Sequence, residues 1–268
     1  MNKRRFVSKT LRTHYIWFFL FRLLKAFRLG ESEQPSFKII HTEPGVSDVD
    51  NLCLYSSFSK SETVDEYVFD ILNELNLNGF KISFCTTSSK IDEISLERLR
   101  KLCFQVIKRE NITGDFGSWH TQLKIHKGSS LNYTNLLLMN DSLVLAKNKS
   151  IKKVIDDINA CESGFVGLTD CFLRKWHLQS FFLYFRPVVH KSKEWNLFWE
   201  EFIYYKYKFQ VINGYEHGLS NALADYRPTA LFSVAKMKNI QKRITNLSAV
   251  VDLWEELVCR YDFPFVKK

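Results

Sequence analysis

A chain of 268 residues, 46% hydrophobic and 25% charged, with only 10 Gly and 5 Pro, is neither disordered nor collagen-like. It is long enough to bury a core without disulfides or structural metal. The formal charge is +9, but residues 1–30 hold Lys3, Arg4, Arg5, Lys9, Arg12, Arg22, Lys25 and Arg28 with no acidic residue, so the rest is nearly neutral. A nucleic-acid-binding domain carries its excess charge on a folded face, so this distribution argues against a nucleic-acid partner.

In chain order, the first segment is a basic arm over residues 1–30. Its most apolar run, Tyr15–Phe21, is far shorter than the roughly 20 residues a bilayer core requires. On a helix, Ile16, Leu20, Leu23, Leu24 and Phe27 share a face, with Arg22, Lys25 and Arg28 turned largely away. That is the pattern of an amphipathic helix lying on an anionic membrane surface. A helix packed on its own domain with solvated charges gives the same pattern. Residues 31–50 are polar and turn-rich and read as a linker, leaving 51–268 as the main domain.

Beyond residue 50, apolar strand-like runs alternate with amphipathic helices. Asn51–Phe58 reads as a strand, and Thr63 with Glu66 as a capping box for a helix that carries Val64, Tyr67, Val68, Ile71, Leu72 and Leu75. That helix stops at Asn78-Gly79. Lys81–Thr86 follows as a strand, Ser95–Cys103 as a short helix and Phe104–Lys108 as a third strand. After a glycine-containing turn and another helix come a strand at Asn135–Met139, a helix at Ser150–Cys161 and strands at Gly164–Leu168 and Phe181–Phe185. Such an order predicts an α/β fold, a mostly parallel Rossmann-type sheet with helices on both faces. Six cysteines with no Cys-x-x-Cys pair sit mainly in these apolar segments and read as reduced thiols of a cytoplasmic protein.

Sheets of this kind bind ligands beyond the carboxyl ends of their strands, where the polar clusters fall. Asn140-Asp141-Ser142 closes the apolar run Leu136–Met139. Asp141 there reads either as an anchor for a divalent cation and phosphates or as an Asx turn ending the strand. Arg109, with Asn111 and Asp115 in the glycine-bearing loop after it, offers a guanidinium to a diphosphate. Asp115-Phe116-Gly117 resembles a kinase tripeptide, but the partner motifs of a kinase are missing. Asp170 and His177 bracket a polar segment that reads as ligand contact or as loop solvation. Glu216 stands at what looks like a helix start, either as a first-turn acid favouring the dipole or as a general base. Trp195, Phe198, Trp199 and Phe202 form a helical stripe that reads as core in preference to a ligand platform.

Taken in order, five segments resemble the rhamnan synthesis protein F family of bacterial polysaccharide glycosyltransferases. They are Arg-Glu-Asn…Asp-Phe-Gly-Ser-Trp (109–119), Leu-Met-Asn-Asp-Ser (138–142), Gly-Leu-Thr-Asp (167–170), His-Leu-Gln-Ser-Phe-Phe-Leu-Tyr-Phe (177–185) and Tyr-Glu-His-Gly-Leu-Ser (215–220). One departure stands out. Where the family pattern reads Asn-x-Gly-x-Asp, Thr113 takes the glycine position and Gly114 comes one place later.

The resemblance implies a GT-A-like fold and inverting transfer of a sugar, typically rhamnose, from a nucleotide-diphosphate donor such as dTDP-rhamnose to a lipid-linked cell-surface glycan. By the same token, Asp141 would anchor the diphosphate or a divalent cation (Mg or Mn), with Asn140 and Ser142 beside it. Arg109, Asn111 and Asp115 would hold the donor, and Glu216, or failing that Asp170, would serve as base. His177 and Gln179 would meet the acceptor. The arm would hold the enzyme peripherally at the inner face of the cytoplasmic membrane. A catalytically inert nucleotide-sugar or glycan-binding module of an assembly complex is the alternative.

Overall fold

The computed structural model describes residues 30–172, 175–236 and 248–268, so the basic arm lies outside the described residues. Two short strands open the described chain, β1 (Glu31–Ser32) and β2 (Phe37–Thr42), followed by β3 (Asp48–Ser57), α1 (Glu66–Leu77), β4 (Phe80–Thr86), α2 (Glu93–Leu102) and β5 (Gln105–Arg109). Then come α3 (Gly114–Lys127), β6 (Asn132–Asn140), β7 (Leu143–Leu145), α4 (Lys152–Ala160), β8 (Phe165–Cys171), β9 (His177–Leu178) and β10 (Phe182–Phe185). The central sheet runs β12-β8-β10-β6-β3-β4-β5-β2, where β12 is Thr229–Phe232.

The α/β expectation holds, with two corrections. Strands β3 to β6 pair in parallel, but β10 lies antiparallel between β6 and β8, so the sheet is mixed. A strand flanked by two others is apolar throughout whichever way it runs, so Phe182–Phe185 carried no mark of its direction. The expected 31–50 linker is the second correction. Its Pro and Gly turns flank β2, which forms the sheet edge antiparallel to β5.

Alternation along β3 divides the core. Cys53 and Tyr55 face the layer that holds α1 and α2. Leu52 and Leu54 face Phe116 and Trp119 of α3 and the aromatic cluster around Trp195 and Trp199. Those two tryptophans, on α6 (Lys193–Glu200) after the short α5 (Pro187–His190), are buried as the stripe predicts, while Phe202 lies beyond the helix end. All six cysteines are free thiols, four of them buried.

The Thr63–Glu66 capping box does not form. Asp65 occupies the cap position, and Glu66 turns its carboxylate to Arg98 of α2. An ion pair between neighbouring helices has displaced a local cap. At the other end the prediction is right: α1 stops at Asn78, and Gly79 turns the chain with φ of +81°.

Candidate functional site

Parallel strands β3, β4, β5 and β6 deliver their carboxyl ends to one edge of the sheet, and β8 ends there too because it is antiparallel to β10. From β3 the chain moves through α1 to β4 on one side, while β6 lies on the other. Between β3 and β6, therefore, the connections part and leave a crevice.

Two carboxylates meet in that crevice. Asp141 follows β6, and its Oδ2 accepts from the Ser57 hydroxyl (3.1 Å) and from the Phe58 amide (2.9 Å), both at the end of β3. Asp115, in the first turn of α3, accepts from the Ser56 hydroxyl (2.8 Å) on one oxygen and from the Asn140 amide group (2.8 Å) on the other. Consecutive serines on one strand thus address two acids that come from two other parts of the chain. Burial pushes the Asp115 carboxyl up to about 6, aided by the negative charges of Asp141 and Glu216 and opposed by its two hydrogen bonds. Burial likewise raises Asp141. Under them lies Tyr55, fully buried, with no hydrogen-bond partner for its hydroxyl among the described residues.

Glu216 joins from the far side, where the Ser180 hydroxyl donates to its Oε1 (3.0 Å). It does not open a helix. The stretch Lys208–Ala222 is helical throughout, built from α7 (Lys208–Val211), a π-turn (Ile212–Glu216) and α8 (His217–Ala222), and Glu216 closes the π-turn. The first-turn dipole role is therefore withdrawn; a π-turn re-aims a side chain from within a helix and is frequent at functional sites.

Arg109 does not meet the crevice as a free guanidinium. It is buried, donating to the carbonyls of Ile112 (2.6 Å) and Gly114 (3.2 Å) and to the Ser118 hydroxyl (3.3 Å). Gly117 makes room for it, since a Cβ there would stand 2.8 Å from the guanidinium and 2.5 Å from the Ile112 carbonyl. Arg109 pins the loop that carries Asp115 and reaches the site only through it. In that loop Asn111 is exposed. Thr113, in the family's glycine position, adopts φ of +67°, and its hydroxyl exchanges hydrogen bonds with the Tyr205 backbone at 3.1 and 2.7 Å. Those bonds offset the left-handed strain a glycine would have avoided.

Asp170, His177 and Gln179 form a separate corner two strands along the sheet, about 10 Å from β6 by strand spacing. Asp170 is buried, and its oxygens accept from the Ser233 hydroxyl (2.7 Å), the Val234 amide (2.9 Å) and the Trp176 indole (3.1 Å). Gln179 binds Thr169 and Ser248, while His177 is buried against His217. These groups tie β8 to the segments around it.

Sequence reading missed Ser56, Ser57, Ser180, Lys267 and Lys268. The two serines carried the signal that revealed Asp141, polar residues ending an apolar strand. The lysines carried none, because they arrive from a distant part of the sequence, at the end of β13 (Phe265–Lys267) and just after it, where β13 pairs with β7 directly after Asp141-Ser142. Charges of Glu216 and Asp115 act on Lys267, and that of Asp141 on Lys268. As a divalent-cation site the arrangement fits poorly. Such ions take several oxygens, yet both Asp115 oxygens already accept bonds and two ammonium groups stand near. Among the described residues no three His, Cys, Asp or Glu side chains gather as a metal-binding group.

A cavity of about 910 Å³ lies elsewhere, at the amino end of β6 among Tyr133, His126, His190 and Trp199. Burial pushes His126 down to about 4, so its ring is neutral there. The acids, the hydroxyls and the parting connections coincide instead at the carboxyl edge.

The rhamnan synthesis protein F family model matches residues 83–259, most of this domain. The chain belongs to this family. An uncharacterized protein, y4gN, of Sinorhizobium fredii is 28% identical over 179 residues, 63% of this chain but 46% of that protein, so the chain spans about half the length of this curated relative. Solved structures it is similar to include the galactosyltransferase LgtC in complex with donor and acceptor sugar analogs, at 11% identity, TM-score 0.33, 62% of this chain and 70% of that one. Another is a putative nucleotide-diphospho-sugar transferase from Desulfovibrio desulfuricans G20, at 12% identity, TM-score 0.37, 68% of this chain and 80% of that one. The glycosyltransferase GlyE of Streptococcus pneumoniae TIGR4 aligns at 12% identity and TM-score 0.38, over 68% of this chain and 45% of its own.

Proposed function

We propose that this family member is an inverting glycosyltransferase of GT-A-like architecture that moves a sugar, rhamnose by the family's description, from a nucleotide-diphosphate donor such as dTDP-rhamnose to a glycan acceptor on a lipid carrier. The observation that carries the reading is the convergence of Asp115, Asp141 and Glu216 on the crevice beside β3. Transfer needs a held diphosphate, an oriented donor and a base for the acceptor hydroxyl. Asp115, fixed by Ser56 and Asn140, is placed to accept hydrogen bonds from sugar or ribose hydroxyls.

Glu216 is the base in this reading, because its carboxylate is only half-buried. Its carboxylate takes the proton of the acceptor hydroxyl, the hydroxyl oxygen bonds to the anomeric carbon, and the bond to the diphosphate breaks with its electron pair leaving on the diphosphate. Asp170 is engaged by three donors and serves as a brace. No step in this scheme runs through a metal ion.

The test is transfer from a panel of nucleotide sugars, with Asp141→Ala beside the native chain. Transfer by the native chain and a folded, inactive variant support the reading; full activity in Asp141→Ala removes this crevice from it.

The arm, residues 1–28, would attach the enzyme to anionic membrane at the inner face, each basic residue contributing about 1 kcal/mol near the surface. No helix among the described residues is long and apolar enough to cross a membrane. Deleting residues 1–28 is expected to stop sedimentation with anionic vesicles. If the shortened chain still sediments, the anchor lies elsewhere.

A further inference from the structure

We propose that Lys267 and Lys268 form the cationic half of the crevice and grip the donor diphosphate from two sides, the task that Arg109 is too buried to perform. The inference rests on the glycosyltransferase reading and deepens it.

Three carboxylates surround the crevice, and a diphosphate brought against them is repelled unless positive charge stands opposite. Arg109 is engaged with loop carbonyls. The acidic groups alone do not make a cation site, as their bonding shows. What the fold supplies is β13. Its pairing sets Lys267 opposite Leu143, and the Lys268 amide donates to the Ser142 carbonyl at 2.9 Å. Both lysines are thereby held to the residues that follow Asp141 by backbone bonds, not through their side chains.

Successive side chains on a strand point to opposite faces, and these two do. The Lys267 ammonium lies 5.5 Å over the Phe181 ring, on the side where Glu216 and Asp115 act on it. The Lys268 ammonium meets the Tyr67 hydroxyl, stands 3.4 Å from Asp65 and feels Asp141. Among the described residues, neither is in direct ion-pair contact with Asp115, Asp141 or Glu216. Lys267 thus addresses Glu216 and Asp115, and Lys268 addresses Asp141, with no ion pair closing either approach among the described residues. Both residues are exposed, so a ligand reaches them without rearranging the core. Lys208 adds a third positive charge near Lys267.

The experiment measures binding of dTDP, UDP and GDP by calorimetry to the full chain and to Lys267→Gln, Lys268→Gln and the double variant, in EDTA, with thermal melts alongside. The native chain should bind at least one nucleoside diphosphate without metal. Each single variant should weaken it about tenfold and the double variant about a hundredfold, as for loss of charge-assisted contacts. Lys→Arg at both positions should restore most of the affinity, and melting should hardly change, because both side chains are exposed. Unchanged binding by the double variant overturns the inference while leaving the glycosyltransferase reading intact. So does native binding that requires added Mg or Mn. Failure of the native chain to bind any of the three, with or without metal, removes the parent reading and the inference with it.

Discussion

Two acidic corners sit on the same edge of the sheet, and they differ in how many donors face them. Around Asp170, three protein donors converge on a buried carboxylate and join β8 to the segment after β12. Around Glu216 one hydroxyl donates, and part of the residue remains in solvent. Asp141 stands between these extremes, with two donors on one of its oxygens. A carboxylate at a strand end is therefore not a site by virtue of its position. Its donors decide whether it braces the fold or faces a ligand.

That contrast breaks most sharply at Glu216. Glu216→Gln keeps the shape and the Ser180 contact but takes no proton, so turnover should fall by about 10²–10⁴-fold with donor binding preserved. Steady-state kinetics with a binding isotherm checks this. Normal turnover in Glu216→Gln together with inactivity in Asp170→Asn would exchange the two roles.

The complementary expectation concerns stability. Asp170→Ala leaves the Ser233, Val234 and Trp176 donors without their acceptor, which should cost about 2–4 kcal/mol in urea unfolding. Asp141→Ala should cost clearly less, because only the Ser57 and Phe58 donors lose their partner, at a site open to water. Equal losses would erase the distinction between the corners.

A smaller effect follows from Asp115. Its carboxyl is raised to about 6 against an ordinary 3.8, so between those values the folded chain holds a proton that the unfolded chain has released. This contribution to stability is full below about pH 4 and is lost as pH rises through about 6, no more than about 3 kcal/mol in all. Asp115→Ala should therefore gain relative to the native chain on going from about pH 5 to about pH 7.5, by chemical unfolding at both. A constant difference between the two chains would mean that Asp115 titrates normally.

Much of the fold was legible because its signals are local. Apolar runs marked β3, β4, β5, β6 and β8, and Asn78-Gly79 marked the end of α1. The capping box failed because Arg98, thirty-two residues on, outcompeted a local bond for Glu66. Edge strand β2 failed because its flanking turns look alike whether the segment between them pairs or not. Strand β10 was found, but its direction was not, since direction depends on the path between strands.

For the site, sequence alone determined which chemistry was present: acids and amides at the ends of buried strands, in an order shared with the rhamnan synthesis protein F family. Tertiary structure decided which of them act together. It buried Arg109 beneath the loop it was expected to serve, filled Asp170 with donors, set Glu216 on a π-turn and brought Lys267 and Lys268 to Asp141 across more than a hundred residues. The reason is physical. A residue's type and its neighbours set what its side chain is able to do. Its freedom to do it depends on partners that only pairing of distant strands supplies.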